Sequence, residues 1–186
     1  MTTTSIRRLG LLAVALCAGL SAPASAQVST TANGPYLAMP AWSQKLTTNR
    51  FVILANWNGE AVLDRETGLV WERTPEATPR SWLSANGHCI RRAAGGRKGW
   101  RLPGIQELGS LVDPTVGAPE PALPVGHPFQ AVDPDLTYWS ATSNSFGDDM
   151  IWIFSLGSGT PGVISKSASA AFAAWCVRGG SAPDVQ

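Results

Sequence analysis

Cysteine, histidine, clustered arginine and tryptophan are the residue types in this chain that could do chemistry, and their spacing narrows what that chemistry can be. Cys89 and Cys176 stand 87 positions apart, and a third cysteine, Cys17, lies in an apolar run near the N-terminus. His88 and His127 are too few and too widely spaced to suggest a metal cluster, and His88 reads as a helix-surface residue. Arg91, Arg92, Arg97, Lys98 and Arg101 fall within eleven residues, and such guanidinium forks match the oxygens of sulfates and carboxylates. The plainer reading of that stretch is a solvated turn between two helices. Eight tryptophans offer indole faces that suit the apolar side of a pyranose. Asp148-Asp149, and Asp133 with Asp135, are paired acids, but adjacent carboxylates do acid-base work only when burial separates their pKa values. The run from Gly157 to Gly162 fits the letters of a dinucleotide-binding loop, yet Pro161 and then Val163-Ile164 argue against the helix that must follow. It reads as a hairpin loop. No Gly-x-Ser-x-Gly elbow is present.

The thiol chemistry depends on compartment. Arg7 and Arg8 precede an apolar run of 12 residues, Leu9 to Leu20, and Ala24-Ser25-Ala26 supplies a cleavage pattern. Residues 1–26 therefore read as a signal peptide, and 12 apolar residues are short of the roughly 20 that span a bilayer. Cleavage leaves 160 residues with 12 basic and 13 acidic side chains, enough for one domain with its own core. That balance supplies no field to draw nucleic acid or anionic membrane. Cys17 departs with the leader, so Cys89 and Cys176 remain as the one possible disulfide in an oxidising compartment.

These groups need elements to hold them. Residues 27–45 read as a flexible N-terminal segment. Strands are expected at 51–54, at 60–63 after an Asn58-Gly59 turn, and at 69–71 after the turn 64–68. Thr78-Pro79 predicts the start of a helix whose Trp82, Ala85 and Cys89 share one face, so Cys89 points to the core. Ile105, Leu108, Leu111 and Val112 predict a second, short helix after Pro103. Residues 113–136 carry six of the 14 prolines and no period, hence a long loop. Strands return at 137–140, 150–156, around 163–164 and at 174–177. The order implies an α+β fold with helices gathered against antiparallel sheets.

Five ordered blocks then carry a resemblance: residues 62–71 (Val-Leu-Asp-Arg-Glu-Thr-Gly-Leu-Val-Trp); Trp82 with Ala85 and Cys89; residues 99–103 (Gly-Trp-Arg-Leu-Pro) with Glu107-Leu108; residues 138–142 (Tyr-Trp-Ser-Ala-Thr); and residues 175–179 (Trp-Cys-Val-Arg-Gly). On these residues the chain resembles the bacterial Lcl C-terminal domain family, formerly DUF1566, over about 60–180. The resemblance implies a C-type-lectin-like fold, with the first-helix Cys89 tied to the last-strand Cys176. It implies a structural role for Arg101 and core positions for Trp71, Trp82, Trp100, Trp139 and Trp175, leaving Trp42, Trp57 and Trp152 freer. The family usually has Thr or Ser where this chain has Gly104, so the capping box toward Glu107 is weakened. The calcium motifs of lectins are not matched: Glu120-Pro121-Ala122 lacks a third ligand and Asp148-Asp149-Met150 is not Trp-Asn-Asp.

The expectation is a signal peptide, a 46–180 domain and a short tail at 181–186. Its function is expected to be that of an exported, non-catalytic binding module without cofactor or metal, recognising a glycan or an envelope or extracellular partner. The candidate contacts are Trp57, Arg97, Lys98, Asp148, Asp149 and Trp152. The alternative is a protein-interaction or envelope-structural domain acting through the 113–136 loop. An enzyme would need a spare reactive thiol, which the disulfide removes.

Overall fold

The computed structural model describes residues 49–116, 121–145, 147–169 and 171–180. The leader, the 27–45 segment, Trp42, Glu120 and the tail lie outside them. No helix among the described residues is long and apolar enough to cross a membrane.

The fold is α+β, with two sheets and two helices. One sheet has the order β1-β2-β3-β9, built from β1 (Phe51–Ile53), β2 (Ala61–Asp64), β3 (Val70–Glu72) and β9 (Val177–Arg178), all antiparallel. The other has the order β4-β8-β5-β6-β7, from β4 (Glu76–Arg80), β5 (Thr137–Ser143), β6 (Met150–Ser155), β7 (Thr160–Ser165) and β8 (Phe172–Ala174). Its pairs are antiparallel except β5 with β8. The helices are α1 (Trp82–Arg91) and α2 (Ile105–Ser110).

The turn between β2 and β3 shows why its sequence is Asp-Arg-Glu-Thr-Gly. The buried Asp64 carboxylate accepts from the Glu66 amide at 3.0 Å and the Thr67 hydroxyl at 2.9 Å, and Gly68 takes a positive φ of 73°. Arg50 meets the same carboxylate through two nitrogens at 2.9 and 2.8 Å, which neutralises it. The expected Asn58-Gly59 hairpin is instead part of a longer connection. A 3-10 turn at Ala55–Trp57 precedes Asn58, whose φ is 56°, and the return strand starts at Ala61.

Thr78 and Pro79 do not begin α1. They lie in β4, an edge strand that meets β8 only at Glu76 and Arg80 across a bulge, where proline removes no ladder bond. The Thr78 N–H donates to its neighbour Glu76 Oε1 at 3.0 Å. Ser81 caps the helix, its hydroxyl accepting from the Ser84 amide. Gly104 caps α2 as expected: Glu107 accepts from the Gly104 amide at 2.7 Å, and Thr142 of β5 accepts from the Ile105 amide at 2.9 Å. The missing cap hydroxyl is thus partly replaced from across the fold. Arg101 has the structural role the resemblance implied, gripping Glu107 at 2.7 and 2.6 Å and the Gly179 carbonyl at 2.7 Å.

One further expectation changes. Residues 174–177 are not one strand: β8 ends at Ala174 in one sheet, β9 begins at Val177 in the other, and Trp175-Cys176 make the crossing. The described part of 113–136 forms no helix or strand and packs against the body. Ala122, Leu123 and Phe129 are buried, the Ala122 amide donates to the Leu156 carbonyl at 2.8 Å, and the Gln130 amide to the Arg73 carbonyl at 2.8 Å. Phe129 packs edge-on to Trp175, 4.9 Å between centroids. Apolar side chains at 123 and 129 anchor the segment although it has no period.

Candidate functional site

The crossing at Trp175-Cys176 organises the centre. Cys89 on α1 is bonded to Cys176, with Cα atoms 5.3 Å apart and both residues fully buried. Glu72, at the end of β3, is 1% exposed. Its Oε2 accepts the Cys176 amide at 3.0 Å, its backbone carbonyl accepts the Trp175 indole N–H at 2.9 Å, and Arg92 pairs with Oε1. Burial pushes the Glu72 carboxyl up, against the pull of Arg92. His88, half-buried on α1, brings a ring nitrogen within 4.8 Å of both a Glu72 oxygen and the Cys176 sulfur. Burial and then Arg80 push its pKa down, which favours the neutral imidazole. With the disulfide closed, that sulfur is no thiolate. The sequence concealed this cluster because Glu72, His88 and Cys176 come from three separate elements.

A second surface gathers half of the sequence-derived contact set. Trp57 is 3% exposed, so it offers no stacking face to a sugar; that expectation is corrected. It fails because the connection 55–57 folds inward and Trp100 packs edge-on to the indole at 6.3 Å. The basic turn is drawn against it: Gly95 has a φ of 62°, and a Cβ there would sit 2.4 Å from Trp57 Cβ. The Gly95 amide donates to Glu60 Oε2 at 2.6 Å, which pins the turn to the β1–β2 connection. Arg97 and Arg178 then cover the indole, their guanidinium carbons 5.5 and 5.4 Å from its centroid. Arg178 Nε donates to the Lys98 carbonyl at 2.9 Å. None of Arg97, Lys98 and Arg178 forms a salt bridge among the described residues. Arg178 was missed by sequence; its signal was the arginine of the Trp-Cys-Val-Arg-Gly block.

Asp148, Asp149 and Trp152 sit elsewhere. Asp148 and Asp149 close the β5–β6 turn, and Asp149 is occupied by the hydroxyls of Ser165 and Ser167, which hold its carboxyl down. Lys166 donates to the Asp148 carbonyl at 3.2 Å and lies 5.1 Å over the Trp82 ring. Trp152 is half-buried on β6 opposite Val163. Strand alternation gives it the face of Phe154, which lines an open groove of about 310 Å³ with Ile105, Gln106, Gly109, Val112 and Pro161. Gly157 to Gly159 lie in the β6–β7 turn, a hairpin as expected, while Thr160 to Gly162 already belong to β7, where the whole run was expected to be loop.

No curated protein matches the chain. The family model described as the Lcl C-terminal domain matches residues 60–178, a span that runs from the β1–β2 connection to the last residue of β9 and holds Asp64, Arg101, both bonded cysteines and Arg178. On that match over most of its length, the chain belongs to the Lcl C-terminal domain family.

Proposed function

We propose that the chain is an exported, non-catalytic binding module that takes the sulfate or carboxylate groups of an anionic glycan at the surface of Arg97, Lys98 and Arg178. The observation that carries this reading is the pair of guanidinium groups stacked on one buried indole without an acidic partner among the described residues. Resting on Trp57, both side chains have lost much of the rotamer freedom that binding would otherwise remove. Their remaining N–H groups suit paired oxyanions. The C-type-lectin-like fold implied by the resemblance supports a ligand-binding role. The disulfide and the lack of membrane-spanning helices among the described residues are compatible with export.

Calorimetric titration with a sulfated oligosaccharide, a uronic-acid oligosaccharide and neutral dextran tests the reading. Binding to the charged sugars should weaken as salt rises, and Arg97→Ala with Arg178→Gln should cost at least about tenfold in Kd at a temperature where circular dichroism shows the variant still folded, since each charged hydrogen bond is worth roughly 1.5–3 kcal/mol. Silence with both charged sugars, or equal affinity in the double variant, removes the proposal.

A second reading, a protein-interaction surface in 113–136, keeps one observation in its favour. Val125 is 80% exposed at the rim of a cavity of about 200 Å³ that it shares with Val116, Pro121, Leu123 and His127.

A further inference from the structure

We propose that, before Cys89 and Cys176 are oxidised, the two sulfurs, His88 and Glu72 form a tetrahedral site for zinc or a similar borderline-soft divalent cation. The geometry brings three of the donors together and ties the fourth to one of them. Oxygen of Glu72, nitrogen of His88 and sulfur of Cys176 lie within 4.8 Å of one another, and the Cys89 sulfur is bonded to that of Cys176. Two sulfurs, one nitrogen and one oxygen are a donor set zinc accepts, with four ligands in a closed structural site. Zinc–sulfur bonds of about 2.3 Å would set the sulfurs about 3.8 Å apart, so the site requires them to separate on reduction.

The charges also close. Two thiolates and the Glu72 carboxylate carry three negative charges; a divalent cation and Arg92, already paired with Glu72, carry three positive ones. Glu72 Oε2 keeps lone-pair capacity beyond the Cys176 amide bond. The chain is made with both thiols reduced, so metal entry breaks no disulfide. The cation displaces two thiol protons to solvent; later exchange with a disulfide-bearing oxidant passes the two electrons to that oxidant's sulfurs, which leave as thiols after taking up two protons, and the newly closed Cys89–Cys176 disulfide releases the ion. In the reduced chain the cation would join α1 to the β8–β9 crossing, the link the disulfide makes afterwards.

The test uses the full chain, unfolded with a phosphine reductant that takes oxygen from water as it delivers two hydrogens to the disulfide, then refolded without oxygen. Cobalt(II) is the probe. The reduced chain should bind one ion with the visible bands of tetrahedral, thiolate-bound cobalt; the oxidised chain should show none. Cys176→Ser should abolish the bands, and His88→Ala and Glu72→Gln should each weaken cobalt binding about tenfold or more. If the reduced chain regains its native circular dichroism only with cobalt, that recovery supports the site. Absent bands, a chain still unfolded with cobalt present, or binding indifferent to both the His88 and Glu72 substitutions would overturn it.

Discussion

The carboxylate of Glu72 accepts the amide proton of Cys176 at 3.0 Å, and the Glu72 backbone carbonyl accepts the indole proton of Trp175 at 2.9 Å, so one residue of β3 fixes both residues of the sheet crossing. Glu72→Ala orphans the buried Cys176 amide, while Arg92, 41% exposed in its side chain, can turn to water. The expected loss is about 2–3 kcal/mol of stability, with Glu72→Gln costing less because it keeps an acceptor. Urea unfolding of the oxidised variants measures both.

Trp57 carries the two arginines from beneath and fills the core. Trp57→Ala should therefore destabilise the domain by about 3–5 kcal/mol, the range for removing a buried aromatic ring. Thermal and urea unfolding should register this without any glycan present. An alanine variant as stable as the parent would mean that the indole is not buried in solution.

The segment 113–136 contributes to the core through Leu123, 1% exposed, and Phe129, 6% exposed. Leu123→Ala should cost about 2–4 kcal/mol. Removal of the whole segment should lower the melting temperature sharply, where a loop held in solvent would leave it unchanged.

Glu76 gives the acid limb of stability. Bonds from the Thr78 hydroxyl and amide, and then from Arg80, hold its carboxyl down from an ordinary 4.5 to about 2. The folded chain thus binds this proton less tightly than the unfolded chain. The resulting stability is present above pH 4.5 and is lost as pH falls toward 2. Glu76→Gln should flatten that part of the pH profile while leaving other acidic groups to titrate, which denaturant midpoints between pH 2 and 5 would detect.

Much of the scaffold was legible because its signals are local. The α2 period and the Asp64 turn satisfy their backbone groups within a few positions of themselves, and the apolar runs at 51–53 and 70–72 show their strand character in the residue types alone, although their partners lie farther along the chain. The cysteine pairing needed only the count of thiols that would remain after the leader, together with the resemblance. Where local signals competed, the sequence misled: Thr78-Pro79 is sound helix-start chemistry, but an edge strand tolerates the same proline and Ser81 caps better placed chain.

By itself, then, the sequence determined the α+β class, the family and the sulfur pair, since these depend on periodicity, short motifs and composition. Only the tertiary structure decided that Trp57 is buried, that Arg178 joins Arg97 over it, that the proline-rich segment is anchored, and that Glu72 and His88 flank the disulfide. Burial and charge pairing belong to the space shared by segments far apart in the chain, and no window of neighbouring residues contains that information.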